Sequence, residues 1–333
     1  MSMRVARLHG RRDLRVGTEA RPSAGAGDTL LRVRAVGICG SDLHWFEEGG
    51  IGDARLARPL VLGHEFTGIS EEGVRFIADP AVPCEACDLC REGHSNLCER
   101  VRFAGHGSED GALREMIAWP SRCLQPLPEG LDEVEAVMLE PLGVAIHAVD
   151  LAHIRPGMNV AVMGCGPIGL MAIQVARAAG ACRVVATELA ARAARVDAAR
   201  RLGAEVVAAE EDPEGSWIRA ALRGWADVSI EAAGEDAAVH AAVRATRPGG
   251  RVVVVGIPAG DRLSLSASVA RRKGLTLAFA RRMKPVYARA LALVQSAHVT
   301  LAGLVSDRFA LEDCAEAFSV AATRRGLKVV VEP

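Results

Sequence analysis

The chain has 333 residues, a formal net charge of −1, 50% hydrophobic residues and 24% charged residues. That length exceeds what one core usually holds, so two domains are expected. Lys and Arg are spread without a basic or basic-aromatic run, which excludes a nucleic-acid partner. No stretch has the length of a membrane span, no apolar signal core precedes the first strand-like residues, and a soluble cytoplasmic protein is expected.

The first part reads as half-buried antiparallel strands, as in the alternation of Leu30-Leu31-Arg32-Val33-Arg34-Ala35-Val36. Cys39 follows in the polar motif Val36-Gly37-Ile38-Cys39-Gly40-Ser41-Asp42-Leu43-His44, and an apolar Pro59-Leu60-Val61-Leu62 run leads into Gly63-His64-Glu65. Cys84-x2-Cys87-x2-Cys90-x7-Cys98 then puts four thiols in one short loop. Nine cysteines without a signal peptide point to metal or buried thiols rather than disulfides. Four sulfurs suit a closed, structural zinc site with bonds of about 2.3 Å; an iron–sulfur cluster is the rival. Cys123, Cys165, Cys182 and Cys314 read as small buried hydrophobes.

Glu140 opens Glu140-Pro141-Leu142-Gly143. Singly, His64 reads as a satisfied turn histidine and Glu140 as a helix cap. Together, a thiolate (Cys39), an imidazole (His64) and one or two carboxylates (Glu65, Glu140) can hold zinc and leave a position open for water or substrate.

From Asn159 the texture changes to alternating strand and helix, which predicts a doubly wound parallel sheet. The strand Val160–Met163 runs into Gly164-Cys165-Gly166-Pro167-Ile168-Gly169 and a helix reaching Ala179. Glu188 ends the next strand ~20 residues beyond, where an acid hydrogen-bonds the ribose hydroxyls of a dinucleotide. Helix N–H groups after the glycine turn offer themselves to the pyrophosphate. A carboxylate at Glu188 favours NAD, while Arg183 and Arg192 nearby keep NADP open. Further strands are expected at 205–208, 228–231 and 251–256. After Gly274 the chain is expected to leave the sheet, with a helix through 309–318 and a last strand through 326–331.

Over essentially its whole length the chain resembles the zinc-containing medium-chain dehydrogenases, most of all the sorbitol (polyol) dehydrogenase group. The resemblance rests on residues 37–44, the loop Glu48-Gly49-Gly50-Ile51-Gly52-Asp53, Leu62-Gly63-His64-Glu65 and Glu140-Pro141-Leu142. It implies an α/β protein with a GroES-like twisted β-barrel catalytic domain (1–145, with the cysteine lobe at about 80–100), a Rossmann NAD-binding domain (146–275) and a tail (276–333) completing the first, the active site lying in the cleft between the domains. It implies two zincs per chain, the catalytic one held by Cys39, His64 and Glu65, with Glu140 bound directly or through water. Ser41 and His44 would relay a proton, Asp42 would orient His64, and Trp45 and Arg281 would face the substrate, Arg282 being a second candidate for the latter role. Trp45 stands where relatives often carry tyrosine, and the stretch Glu71-Glu72-Gly73-Val74-Arg75-Phe76 is shorter than theirs.

The implied activity is NAD-linked oxidation of a secondary alcohol of a polyol to a ketone, by a homodimer or homotetramer. Cyclitol, amino-sugar or threonine-type dehydrogenases are the alternatives. A non-catalytic NAD(P)H-binding relative fits less well, because such proteins lose metal ligands, and a zinc-free quinone reductase lacks both metal sets.

Overall fold

Alternating side chains fold the N-terminal residues into the hairpin β1 (Ser2–Gly10) and β2 (Asp13–Ala20), followed by β3 (Asp28–Gly37). The computed structural model describes residues 1–333. Helix α1 (Gly40–Glu48) follows β3, then the short hairpin β4 (Gly50–Ile51) and β5 (Ala54–Arg55). β6 (Glu65–Ser70) and β7 (Arg75–Ala78) form a second hairpin. The residues that looked short for a strand pair, 71–76, supply its turn and the start of its second strand. The cysteine lobe, with helix α2 (Asp88–Arg91), hangs between the paired strands β8 (Ala81–Val82) and β9 (Arg102–Phe103). β10 (Met116–Pro120) pairs with β3, and β11 (Leu124–Pro126) with β7.

By internal contacts the chain divides into two units, Met1–Glu140 with Leu301–Pro333, and Pro141–Thr300. Helix α3 (Leu139–Ala152) carries the chain from one to the other. In the second unit six strands lie in the order β14-β13-β12-β15-β16-β17, all neighbours parallel: β12 (Asn159–Met163), β13 (Arg183–Glu188), β14 (Glu205–Ala208), β15 (Ala226–Glu231), β16 (Thr246–Val254) and β17 (Thr276–Phe279). The helices of this unit are α4 (Pro167–Ala178), α5 (Ala193–Arg201), α6 (Ser216–Leu222), α7 (Asp236–Ala245), α8 (Ala267–Lys273) and α9 (Tyr287–Gln295). Val160–Met163 are wholly buried, as the central strand of a parallel sheet covered on both faces requires.

The expectation that the chain leaves this sheet after Gly274 is corrected. Thr276–Phe279 pairs with Arg251–Val254 as the sixth strand, and residues up to Thr300 stay in the second unit. The reason is backbone satisfaction: a short apolar run beside an unpaired strand gains a ladder of hydrogen bonds. The division falls at 140/141 rather than 145/146, inside α3, so the chain crosses it without leaving the helix.

The chain then returns to the first unit with β18 (Val305–Ala310), α10 (Cys314–Ala322) and β19 (Lys328–Glu332). Phe309 and Ala310, expected in a helix, end the strand instead. β19 pairs with both β18 and β3, giving the sheet order β11-β7-β6-β3-β19-β18. The core of this unit gathers Leu31, Val36, Trp45, Phe66, Trp119 and Phe318 among others. No helix is long and apolar enough to cross a membrane.

Candidate active site

β3 ends at Gly37, where a Cβ would come within 2.2 Å of the Glu65 Oε2 atom; only glycine lets that carboxylate pass. Two residues on, Cys39 stands in extended conformation as the N-cap of α1. Asp42, in the first turn, is 1% exposed. Its Oδ2 accepts the N–H of Cys39 at 3.0 Å, and its Oδ1 accepts the N–H of Gly63 at 3.3 Å and faces His64 Nδ1 at 3.3 Å. One carboxylate thereby ties together the two segments that carry Cys39 and His64, and it leaves His64 Nε2 as the ring's ligand atom. Burial opposes charge on Asp42, but the charge and ring N–H of His64 and the two backbone donors outweigh it and hold the carboxyl below its ordinary range. Burial likewise opposes charge on His64, but Asp42 and Cys39 raise its pKa well above the ordinary value.

Ligand atoms of Cys39, His64 and Glu65 lie within 4.8 Å of one another. Glu65 Oε2 accepts the Lys328 Nζ at 2.6 Å, both side chains being 1% exposed, and Lys328 also donates to Ile38 O at 3.1 Å. Glu65 Oε1 is buried without a hydrogen-bond partner. An orphaned carboxylate oxygen beside a thiol and an imidazole fits a cation. The mixed sulfur, nitrogen and oxygen donors, three from protein, are those of a zinc site with one position left open. Lys328 was missed in the sequence, although a lysine among the valines of the terminal strand was the available signal.

Glu140, in the first turn of α3, is buried and lies outside that three-residue group. Burial, reinforced by Glu65 and opposed by His64 and Lys328, pushes its carboxyl up to about 8. Ser41 is half-buried in the first turn of α1. His44, three residues on, is 8% exposed, and its Nδ1 meets Glu48 Oε1 at 2.6 Å. Glu48 was also missed, though its spacing of four residues on a helix places it beside His44. Trp45 is corrected: it is 1% exposed, and its indole N–H donates to His106 Nδ1 at 3.1 Å. The ring builds a wall of the core and has no donor to spare for substrate. Arg281 is exposed on the loop after β17, in the second unit.

In the lobe, sulfurs of Cys84, Cys87, Cys90 and Cys98 also lie within 4.8 Å of one another. Cys87 and Cys90 Sγ are 3.4 Å apart, and Arg100 donates to Cys84 Sγ at 3.3 Å. Backbone N–H groups of Ala86 and Cys87, aided by Cys98, bring Cys84 down to about 6, while burial and the neighbouring sulfurs push Cys90 up to about 12. Four thiolates therefore cannot coexist there without a cation. None of Cys84, Cys87, Cys90 or Cys98 is in a disulfide. Of the scattered cysteines, Cys182 is exposed, against expectation, and the other three are buried.

In the second unit the glycine turn lies between β12 and α4. Gly164 has φ +93°, and a Cβ on Gly169 would sit 1.9 Å from the carbonyl oxygen of Gly164. Gly166 is the N-cap, Pro167 opens the helix, and Ile168 and Gly169 complete its first turn, so the free N–H groups face outward from the C-terminal edge of the sheet. Glu188 ends β13, 3% exposed. Its Oε2 accepts the N–H of Cys165 at 3.1 Å; its Oε1 accepts the N–H of Leu189 at 2.8 Å and Arg192 Nη1 at 3.1 Å.

Comparison with known proteins agrees with this chemistry. Residues 25–129 match the alcohol dehydrogenase GroES-like domain family, and residues 167–296 the zinc-binding dehydrogenase family. Sorbitol dehydrogenase of Bacillus subtilis (strain 168) is 32% identical, over 100% of this chain and 98% of its own. The crystal structure of L-idonate 5-dehydrogenase from Escherichia coli superposes with a TM-score of 0.90 at 27% identity, covering 100% and 99% of the two chains. A structure from Sinorhizobium meliloti 1021, described as a zinc-binding dehydrogenase bound to NADP, superposes with a TM-score of 0.89 at 30% identity, covering 100% of both chains. The chain belongs to the zinc-containing medium-chain alcohol dehydrogenases, in the group that includes sorbitol dehydrogenase.

Proposed function

We propose that this protein oxidises a secondary hydroxyl of a polyol or sugar alcohol to a ketone, passing hydride to NAD or NADP. The observation that carries the reading is the Cys39–His64–Glu65 group with its unpartnered buried oxygen on Glu65. The relatives are named for sorbitol and idonate, and one neighbour for its NADP.

When bound, zinc supplies the Lewis acidity that eases loss of the hydroxyl proton, and the nicotinamide ring accepts the hydride. Asp42 keeps the His64 ring turned so that Nε2 faces the metal position. Lys328 holds Glu65 by one oxygen and leaves the other toward it. Glu140, beside the same group, hydrogen-bonds the substrate hydroxyl or a water there. Ser41 Oγ takes the hydroxyl proton as its own proton passes on toward His44, which, its Nδ1 turned to Glu48, accepts it at Nε2 and releases it to water. The four lobe cysteines hold a second, structural zinc.

The protein works as a homo-oligomer in a reducing compartment, the cytoplasm. All nine cysteines are thiols. β17 is the edge strand of its sheet; its last residue, Phe279, is 68% exposed and Ile257, after β16, is 44% exposed, the kind of apolar edge a second copy covers.

The test is the initial rate of NAD and NADP reduction across polyols, cyclitols, amino sugars and threonine, with zinc measured by elemental analysis. Two zincs per chain and turnover of a polyol are expected. Two zincs with turnover only of a cyclitol or amino alcohol would move the substrate; no turnover of any would overturn the reading.

A further inference from the structure

β15 runs beside β12 at the centre of the parallel sheet and ends in Glu231. The residue is wholly buried. Its Oε1 accepts the N–H groups of Ala233 and Gly234, each at 2.7 Å. Its carbonyl oxygen accepts the N–H of Val255 at 2.8 Å and that of Gly256 at 3.1 Å. On the other flank the N–H of Ala232 donates to Met163 O at 2.8 Å, and a Cβ on Gly164 would come within 3.0 Å of Ala233 Cβ. The turn after β15 is thus pressed between the glycine turn and the turn after β16, with Glu231 at its root.

The packing there leaves no room. Gly234 has φ +72°, and a Cβ on it would sit 2.5 Å from Ile257 O; a Cβ on Gly256 would sit 2.2 Å from Gly234 N and 2.6 Å from Glu231 Oε2. Oε2 itself is buried without a hydrogen-bond partner. Burial raises the carboxyl above its ordinary range, and the surrounding N–H groups, that of Gly234 first, oppose the rise. A buried carboxyl with one bare oxygen costs stability that an apolar strand end would not, and groups of that kind cluster at functional sites. In the order β14-β13-β12-β15-β16-β17 the winding of the sheet reverses between β12 and β15. A dinucleotide lies outside the C-terminal strand ends across such a reversal, one mononucleotide on each half. The glycine turn takes the pyrophosphate and the half formed by β12, β13 and β14 takes the adenosine. The nicotinamide mononucleotide then falls on the other half, over the turns 232–234 and 255–257.

We propose that Glu231 is a positioning residue for the nicotinamide end of the dinucleotide: its side chain locks the turn 232–234 against 255–257, and those two turns are the floor on which the nicotinamide mononucleotide lies. This rests on the dinucleotide-binding reading of the glycine turn. Oε1 acts as an acceptor of two N–H groups, so glutamine, whose amide oxygen accepts the same pair, can replace it. The glycine turn has its own supports in helix α4 and in the bond from the Cys165 N–H to Glu188, and it keeps its shape when Glu231 is changed.

The experiment is calorimetric titration of the full chain with NADH and NADPH and, separately, with ADP-ribose and 2′-phospho-ADP-ribose, which lack the nicotinamide. In Glu231→Ala the reduced cofactor that the parent binds tighter is expected to bind about tenfold more weakly, the order imposed by two hydrogen bonds being lost. Affinity for the matching fragment is expected to stay within about twofold. Glu231→Gln is expected to restore the parent's affinity. Should the alanine variant fail to fold, Gly256→Ala drives the same two turns apart and is expected to show the same selective loss. Equal losses for cofactor and fragment, no loss at all, or a glutamine variant as weak as the alanine one overturns the positioning role and leaves the dehydrogenase reading intact. Parent protein that binds neither cofactor overturns the dinucleotide reading itself, and the positioning role with it.

Discussion

Replacing Lys328 with methionine isolates the ion pair it makes with Glu65 at the proposed metal position. Lys328 and Glu65 are each 1% exposed and meet at 2.6 Å, so Lys328→Met leaves a buried carboxylate with neither of its oxygens answered, Oε1 having no partner to begin with. Breaking such a pair from one side costs about 3–5 kcal/mol. For a unit of this size each kcal/mol moves the melting temperature by about 2–4 °C, so a drop of roughly 6–20 °C is expected in protein stripped of metal with EDTA. Two further arms test the cause. With zinc bound, the cation answers Glu65 and the drop shrinks. In Lys328→Met/Glu65→Met the charge is gone altogether, and replacing a buried pair with apolar side chains is often close to neutral, so the double variant melts above the single one. A stripped single variant melting within about 2 °C of the parent, or a double variant no better than the single, would refute the reasoning.

Three other expectations follow from the site and its surroundings. His44→Ala lowers kcat about 100-fold at low pH, the lower end for a positioned proton carrier, and recovers at high pH where hydroxide replaces it; a pH-independent loss in the rate profile would take His44 out of the relay. Burial raises the Asp79 carboxyl to about 6, against its bond from the Ala81 N–H. Between the unfolded value near 4 and pH 6 the unfolded chain sheds a proton that the folded chain keeps, so stability falls as pH rises through that window and the penalty persists above it. A shift of that size is worth at most about 3 kcal/mol, and partial exposure reduces it to about 1–2. Asp79→Asn, which keeps the acceptor, should therefore stabilise by that amount at pH 7 and by almost nothing below pH 4; urea melts showing a loss at pH 7 would contradict the account. Cys98→Ser should cost one zinc per chain by elemental analysis and open the segment 84–98 to protease; unchanged zinc content would mean that the lobe holds no metal.

What could be read from the sequence was whatever depends on local spacing. The cysteine set and the glycine turn with its helix are fixed by short-range geometry, whereas Cys39 and His64, on separate segments, were grouped by donor chemistry and the family resemblance, and their ligand atoms do meet those of Glu65. The parallel sheet was readable too, because strand and helix periods differ. What escaped depends on distant partners. Nothing near Thr276–Phe279 says that β16 lies open beside it, so the sixth strand looked like a departure from the sheet. Lys328 acquires its meaning from a residue 263 positions earlier. Trp45 was placed at the substrate by the family resemblance, yet its indole N–H is claimed by His106. Glu188 was found, but its service to the backbone of Cys165 and Leu189 is a property of the folded turn. Glu48 was within reach, four residues after His44 on one helix.

The bonds that Asp42 makes to Cys39, Gly63 and His64 set the spacing of two ligands without help from an ion. The lobe has no such brace: α2 buries no residue, and its four sulfurs press against one another until something positive separates them. The two metal positions should therefore answer scarcity differently. A cell short of zinc would hold the first as a folded, silent reserve that switches on as soon as the ion returns, while a chain that loses the second would lose shape there and become prey to proteases. With zinc at both positions, supply of one element would govern both how active the existing molecules are and how long they last.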